Sequence, residues 1–269
     1  MDMLSFMLLF LGAIGIGFVS SIGGIGGGSL MVPYMILVLG YDARTAIASS
    51  LVTIITTSCS AASVYFKKRL INLDVALILT PSTVFGAILG SNLNLSLPIT
   101  MVKALLGATL IFISFLTLAK PLLFRKAIVE GGNLKYYDES LNRYVSYRLK
   151  NIPLGVLLSI LGGFTSGMFG IGGGVIKVPV MVLVMGIPIK VAVATSSYMI
   201  GLTAATGSIT YLAKGAVSIE SVAALALGII PGATLGAKAM GKLNPRVVQL
   251  IFSMIILYSG LRILISSMV

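Results

Sequence analysis

Two glycine runs hold the residues best suited to chemistry. Gly24, Gly26, Gly27 and Gly28, closed by Ser29, form the first; Gly170, Gly172, Gly173 and Gly174 form the second, with Lys177 three residues on. Glycine runs let several backbone amides converge in conformations that other residues avoid. A short apolar stretch of helical character follows each run, so unsatisfied N–H groups and the positive end of a helix dipole would meet there and favour an anion. Further along, Ser49, Ser50, Thr195 and Ser196 carry hydroxyls that can donate to an oxyanion without burying a charge. The rival reading is structural: the glycines permit a tight helix crossing, and the hydroxyls bond carbonyls of their own helices.

Other chemistries are short of residues. The 269-residue chain has no His, no Trp and one Cys, which removes nearly every zinc, copper, haem and iron–sulfur site. Cys59 has no partner for an intrachain disulfide or a CxxC pair and reads as a small apolar filler in a helix. The segment from Gly236 to Lys242 mimics a phosphate-binding P-loop, yet Leu243 stands where a metal-binding Ser or Thr is required. No cofactor motif and no acid–base pair is visible, so an enzyme is not expected.

The elements that position the runs are membrane segments. Hydrophobic residues make up 57% of the chain and charged ones 10%, against roughly a quarter charged in ordinary soluble domains. Ten apolar segments follow, at 3–22, 29–40, 46–66, 73–92 and 98–119, then at 152–168, 175–186, 191–212, 219–239 and 245–267. The N-terminus carries Asp2 and no basic n-region, and reads as a first membrane segment facing outward. The expected fold is an all-α polytopic membrane protein.

The chain is a duplication. Gly24–Gly40 recurs as Gly170–Gly186 with eleven of seventeen positions identical, at an offset of 146 residues (24 to 170). The second segment of each copy is too short to span, since twelve helical residues rise about 18 Å against a core of about 30 Å. Both are read as half-helices that turn within the membrane, a frequent signature of secondary transporters. The expected division is residues 1–120, a hydrophilic linker 121–150, and residues 151–269.

Charge sets the orientation. The net charge of +12 is concentrated at Lys67, Lys68, Arg69 and the linker, beside apolar segments, which points to a membrane interface and not to nucleic acid. Lys67–Arg69 and the linker should be cytoplasmic, the uncharged turn Ser91–Pro98 outside. In the second copy, the turn holding Lys214 and Glu220 is balanced, and the one holding Lys238, Lys242 and Arg246 is basic. Equivalent turns then face opposite sides, as in an inverted repeat; a parallel repeat is the alternative. Asp74 and Glu220 match across the copies and read as charge compensation at helix starts. The small-xxx-small motifs Gly86–Gly90 and Gly232–Gly236 read as helix-packing surfaces.

Lys177 stands out in this setting. A cation in the first turn of a helix opposes the dipole by a few tenths to about 1 kcal/mol, and a Lys deep in a membrane helix costs about 2.5–3.5 kcal/mol. Glu130, Asp138 and Glu139 all lie in the linker, so no acid is near in sequence. An anion would relieve both penalties; the alternative is a Lys that snorkels to the surface. Lys190 is expected near the surface with little role.

These motifs resemble the sulfite exporter TauE/SafE family of membrane permeases. The resemblance rests on the paired GIGGG…VP motifs at 24–33 and 170–179, on Ala-Thr-Ser-Ser at 194–197, and on Gly-Ala-x-Leu-Gly at 86–90 and 232–236. It implies transport of small sulfur anions, such as sulfite, sulfonates or sulfoacetate, across the plasma membrane. The copies differ, with Met31 where the second has Lys177, so the pocket should be asymmetric in charge. The expected function is alternating-access transport of a small anion without a cofactor; an anion-selective channel is the first alternative and a membrane-embedded enzyme the second. Its partners are the substrate and the lipid bilayer, with a coupling ion (a proton or another) and a homodimer left open.

Overall fold

The computed structural model describes residues 3–124, 130–138, 142–240 and 245–267. The first half contains α1 (Met3–Gly23), α2 (Gly28–Leu37), α3 (Ala43–Lys67), α4 (Leu73–Ser96) and α5 (Ile99–Phe124). A two-stranded antiparallel hairpin, β1 (Glu130–Asp138) and β2 (Arg143–Tyr147), follows. The second half contains α6 (Ile152–Phe169), α7 (Gly174–Pro179), a π turn (Val180–Val184), α8 (Ile189–Ala213), α9 (Ile219–Ala239) and α10 (Pro245–Ser266).

Among the described residues, six helices are long and apolar enough to cross a bilayer. The outward side chains are apolar (Met3 is 82% exposed, Leu77 70%), whereas Ser, Thr and Asn fill fully buried positions inside. That arrangement suits a protein solvated by lipid, where hydroxyls hold neighbouring helices together. The molecule is an all-α polytopic membrane protein; the hairpin, whose strands the sequence did not announce, lies in its linker.

Packing follows the duplication. α1 lies along α9 and α4 along α6, while α3 faces α8 and α5 faces α10. The glycine motifs of the fourth segments make the first two contacts. A Cβ on Gly86 or Gly90 would sit 2.2 Å from the carbonyl oxygen of Ile160 or Phe164, and one on Gly232 or Gly236 2.2 Å from that of Ile14 or Phe18. Those pairs advance together along both helices, so α4 and α6 run the same way, as do α1 and α9. The contacts of the equivalent fifth helices run oppositely: Gly107 meets Gly260 and Leu264, while Ser114 Oγ donates to the Ser253 carbonyl at 2.8 Å.

The loops gather at two ends. At one, the hairpin packs against the α3–α4 turn, where Asn72 Nδ2 donates to Tyr147 Oη at 2.8 Å, and Lys190 at the start of α8 pairs with Asp138. Met240, after α9, packs into the same apolar cluster as Tyr136 and Tyr147. At the other end, Arg44 donates to the carbonyls of Asn94 and Leu97, and Ser221 Oγ donates to Tyr41 Oη at 2.7 Å. Asp74 and Glu220 occupy the first turns of α4 and α9. Lys242 and Leu243 fall outside the described residues.

Candidate functional site

Each short helix doubles back along the long helix before it. Tyr34 of α2 donates to the Leu8 carbonyl of α1 at 2.7 Å, and Lys177 of α7 lies against Gly162 of α6. The reversal is made by glycines in the left-handed region at matching places: Gly24, Gly26 and Gly27 in one copy, Gly170, Gly172 and Gly173 in the other. Only glycine adopts such a series without strain.

The two breaks are pressed together at the centre of the protein. A Cβ on Gly28 would lie 1.8 Å from the Gly170 carbonyl oxygen, and one on Gly174 2.2 Å from that of Gly24. Residues 24–33 and 170–175 are buried throughout. The tight-crossing role of the glycines is therefore present in this conformation.

The four matching hydroxyls tie the halves reciprocally. Ser50 Oγ donates to the Gly170 carbonyl at 2.8 Å, and its repeat mate Ser196 donates to the Gly24 carbonyl at 3.1 Å. Ser49 Oγ accepts the Ser218 N–H at 3.1 Å, and Thr195 Oγ1 accepts the Asn72 N–H at 3.0 Å. Tyr65 and Tyr211 are also repeat mates, but each donates within its own half, to the Ser21 carbonyl at 2.6 Å and to the Gly167 carbonyl at 2.8 Å. The deeper hydroxyls of Thr53, Thr57 and Thr206 bond carbonyls four residues back on their own helices. Ser29 Oγ is buried without a hydrogen-bond partner among the described residues.

Lys177 is wholly buried and does not reach the surface. Its Nζ donates to Thr203 Oγ1 at 2.7 Å; that hydroxyl itself donates to the Met199 carbonyl and lies 3.1 Å from Thr83 Oγ1 of α4. Gly162 leaves room for the lysine stem, since a Cβ there would fall 3.0 Å from Lys177 Cγ. Thr83 is the neighbour that sequence reasoning missed; its only signal was a hydroxyl beside Pro81 in an apolar segment. The second short helix also differs from expectation. A single segment over 175–186 was expected, but the α-helix stops at Pro179 and continues as a π turn. Pro179 cannot donate an N–H, which loosens the hydrogen-bond ladder. Lys177 is the one charged side chain on this helix and the π turn that continues it.

Lys190 lies near the surface, its side chain 23% exposed, and has a partner there. It pairs with Asp138, whose side chain is only 5% exposed, and Tyr136 Oη donates to the same carboxylate at 3.0 Å. Burial, and then the hydrogen bond to Asp138, push the Tyr136 phenol up and keep it a donor.

The paired breaks, with their crossed hydroxyl locks, extend the sequence motif into a whole-chain architecture, and a family model for "Sulfite exporter TauE/SafE" matches residues 9–263. The chain belongs to that family. It is similar to the probable membrane transporter protein YunE of Bacillus subtilis, 27% identical over 97% of this chain and 98% of the relative. It is also similar to the probable membrane transporter protein MJ0441 of Methanocaldococcus jannaschii, 28% identical over 96% and 95%. A sulfite exporter TauE/SafE family protein 5 of Arabidopsis thaliana is 36% identical, over 45% of this chain and 26% of its own length. No solved structure matches. Among the described residues, no group of His, Cys, Asp or Glu is gathered that could hold a metal ion.

Proposed function

We propose that the protein is a secondary transporter for a small anion, a sulfur oxyanion or sulfonate, working by alternating access across the plasma membrane. The observation that carries this reading is Lys177, a wholly buried cation with a single hydroxyl partner and no carboxylate beside it among the described residues. Burying an unpaired ammonium is costly, and a transient anion offsets that cost while it is bound. The proposed site comprises Lys177 with the amides of Gly24, Gly26, Gly27, Gly28, Gly170, Gly172, Gly173 and Gly174. The hydroxyls of Ser29, Ser49, Ser50, Thr195 and Ser196 border it, and Thr83 and Thr203 are added to the set.

The present conformation is closed at this point. Opening requires the two breaks to separate, which exchanges the bonds of Ser50 to Gly170 and of Ser196 to Gly24 for bonds to the anion. Because the locks are reciprocal, rocking one half against the other releases both. An inverted repeat is supported by the opposed registers of α5 against α10. The end that gathers Lys67–Arg69, the hairpin, Lys190 and Lys238 is the cytoplasmic one on the positive-inside rule, which places the linker inside.

Uptake of radiolabelled sulfite or methanesulfonate by proteoliposomes tests the reading. Saturable uptake that is accelerated by unlabelled anion on the far side supports a carrier. Flux without such countertransport would make the protein a channel, and absence of anion flux would refute the proposal.

A further inference from the structure

We propose that the site carries its anion in the singly charged form and discriminates against dianions; this rests on the anion-transport reading above. The duplication would supply two cations to a pseudo-twofold site, yet among the described residues the site holds one. At the position equivalent to Lys177 stands Met31, also wholly buried. The helix behind it has changed in step: Gly162, which accommodates the lysine stem, is matched in the first copy by Ile16 (offset 146).

No other charge near Lys177 alters the balance among the described residues. α6 and the π turn contain no ionisable side chain. α8 contributes Lys190, which is paired with Asp138, and the phenols Tyr198 and Tyr211, the latter donating to Gly167. α5 contributes Lys103, on a helix that touches α7 only lightly. α4, which supplies Thr83, has Asp74 as its one ionisable group, exposed in its first turn. One ammonium and one monoanion close to neutrality in a water-poor interior. A dianion leaves an uncompensated charge there, the situation that buried sites avoid most strongly. Thr83 and Thr203, whose hydroxyls here donate to the Thr80 and Met199 carbonyls, serve the remaining oxygens of the anion by turning those hydrogens to it on binding.

The experiment compares two probes in wild-type proteoliposomes. Methanesulfonate has one charge throughout the neutral range; sulfite loses its second proton near neutrality. From mildly acidic to mildly alkaline buffer, sulfite uptake relative to methanesulfonate uptake should fall about tenfold per pH unit above the second pKa of sulfite. Sulfate should compete poorly with methanesulfonate. Sulfite uptake that holds or rises with alkalinity, or sulfate competing as well as methanesulfonate, would overturn the inference while leaving anion transport intact. A parallel fall of both probes traces to the site's own titration and also overturns it. If neither probe is carried, the transport reading itself fails. Met31→Lys adds the missing second charge: a monodisperse variant should shift the sulfate-to-methanesulfonate preference by tenfold or more toward sulfate. An unchanged preference in such a protein counts against the proposal, and the pH series decides the matter should this variant misfold.

Discussion

Replacing Lys177 by Met should make the protein more stable and a poorer carrier, two changes of opposite sign. The lysine is wholly buried, with one partner, Thr203, at 2.7 Å. On insertion scales a Lys at the centre of a membrane helix costs about 2.5–3.5 kcal/mol. A charge-assisted hydrogen bond returns about 1.5–3 kcal/mol, so the empty protein is left with a deficit on the order of 1 kcal/mol. Methionine fills the stem beside Gly162, and Met31 already occupies the equivalent place in the first copy. Thr203 loses nothing essential, because its own hydrogen goes to the Met199 carbonyl at 2.9 Å. The substrate, by contrast, loses a charge-assisted contact of about 1.5–3 kcal/mol, or roughly 10- to 150-fold in affinity. Thermal unfolding in detergent and concentration-dependent flux in proteoliposomes measure the two quantities on one preparation. A Met variant that melts lower and transports with unchanged KM would show that the lysine serves the fold and not the anion.

Four further outcomes are expected. Ser50→Ala and Ser196→Ala should each cost about 1 kcal/mol of stability and do so to similar extents, because the bonds are repeat-related; unequal melting shifts would argue against reciprocal locks. Gly174→Ala should prevent correct assembly, its Cβ lying 2.2 Å from a carbonyl oxygen, whereas Gly15→Ala, with open space around it, should leave size-exclusion profile and flux unchanged. In a Cys59→Ser background, single cysteines at positions 68 and 238 should resist an impermeant thiol reagent added outside intact cells, while cysteines at positions 96 and 214 react; labelling at 238 but not at 68 would favour the parallel repeat. Lys190→Met should leave the buried Asp138 carboxylate short of a partner and speed protease cleavage in the linker, and Asp138→Asn, which keeps the Tyr136 contact, should do so less.

The sequence by itself determined the parts that depend on local pattern. Apolar runs of bilayer length identify the long helices. The recurrence of Gly24–Gly40 at Gly170–Gly186 identifies the duplication and both breaks, because a left-handed backbone series needs glycine wherever it occurs. The glycines of the fourth segments announced close helix contacts, and those contacts are present at Gly86, Gly90, Gly232 and Gly236. Acids at positions 74 and 220 lie in first turns, as their spacing suggested. What tertiary structure alone decided is which groups meet across the repeat. Ser50 bonds Gly170 and Ser196 bonds Gly24 over separations of 120 and 172 residues. Thr83 joins Thr203 beside the Lys177 ammonium, and Lys190 finds Asp138 in a hairpin that the linker's composition did not announce. Periodicity tells which face of a helix turns inward, but a hydroxyl such as that of Ser50 reaches the Ile47 carbonyl of its own helix at 3.0 Å as well as the Gly170 carbonyl across the repeat at 2.8 Å. Whether the bond across the repeat forms as well is decided by how closely the segments approach, and glycine on the other segment permits that approach: a Cβ on Gly170 would lie 2.4 Å from Ser50 Oγ.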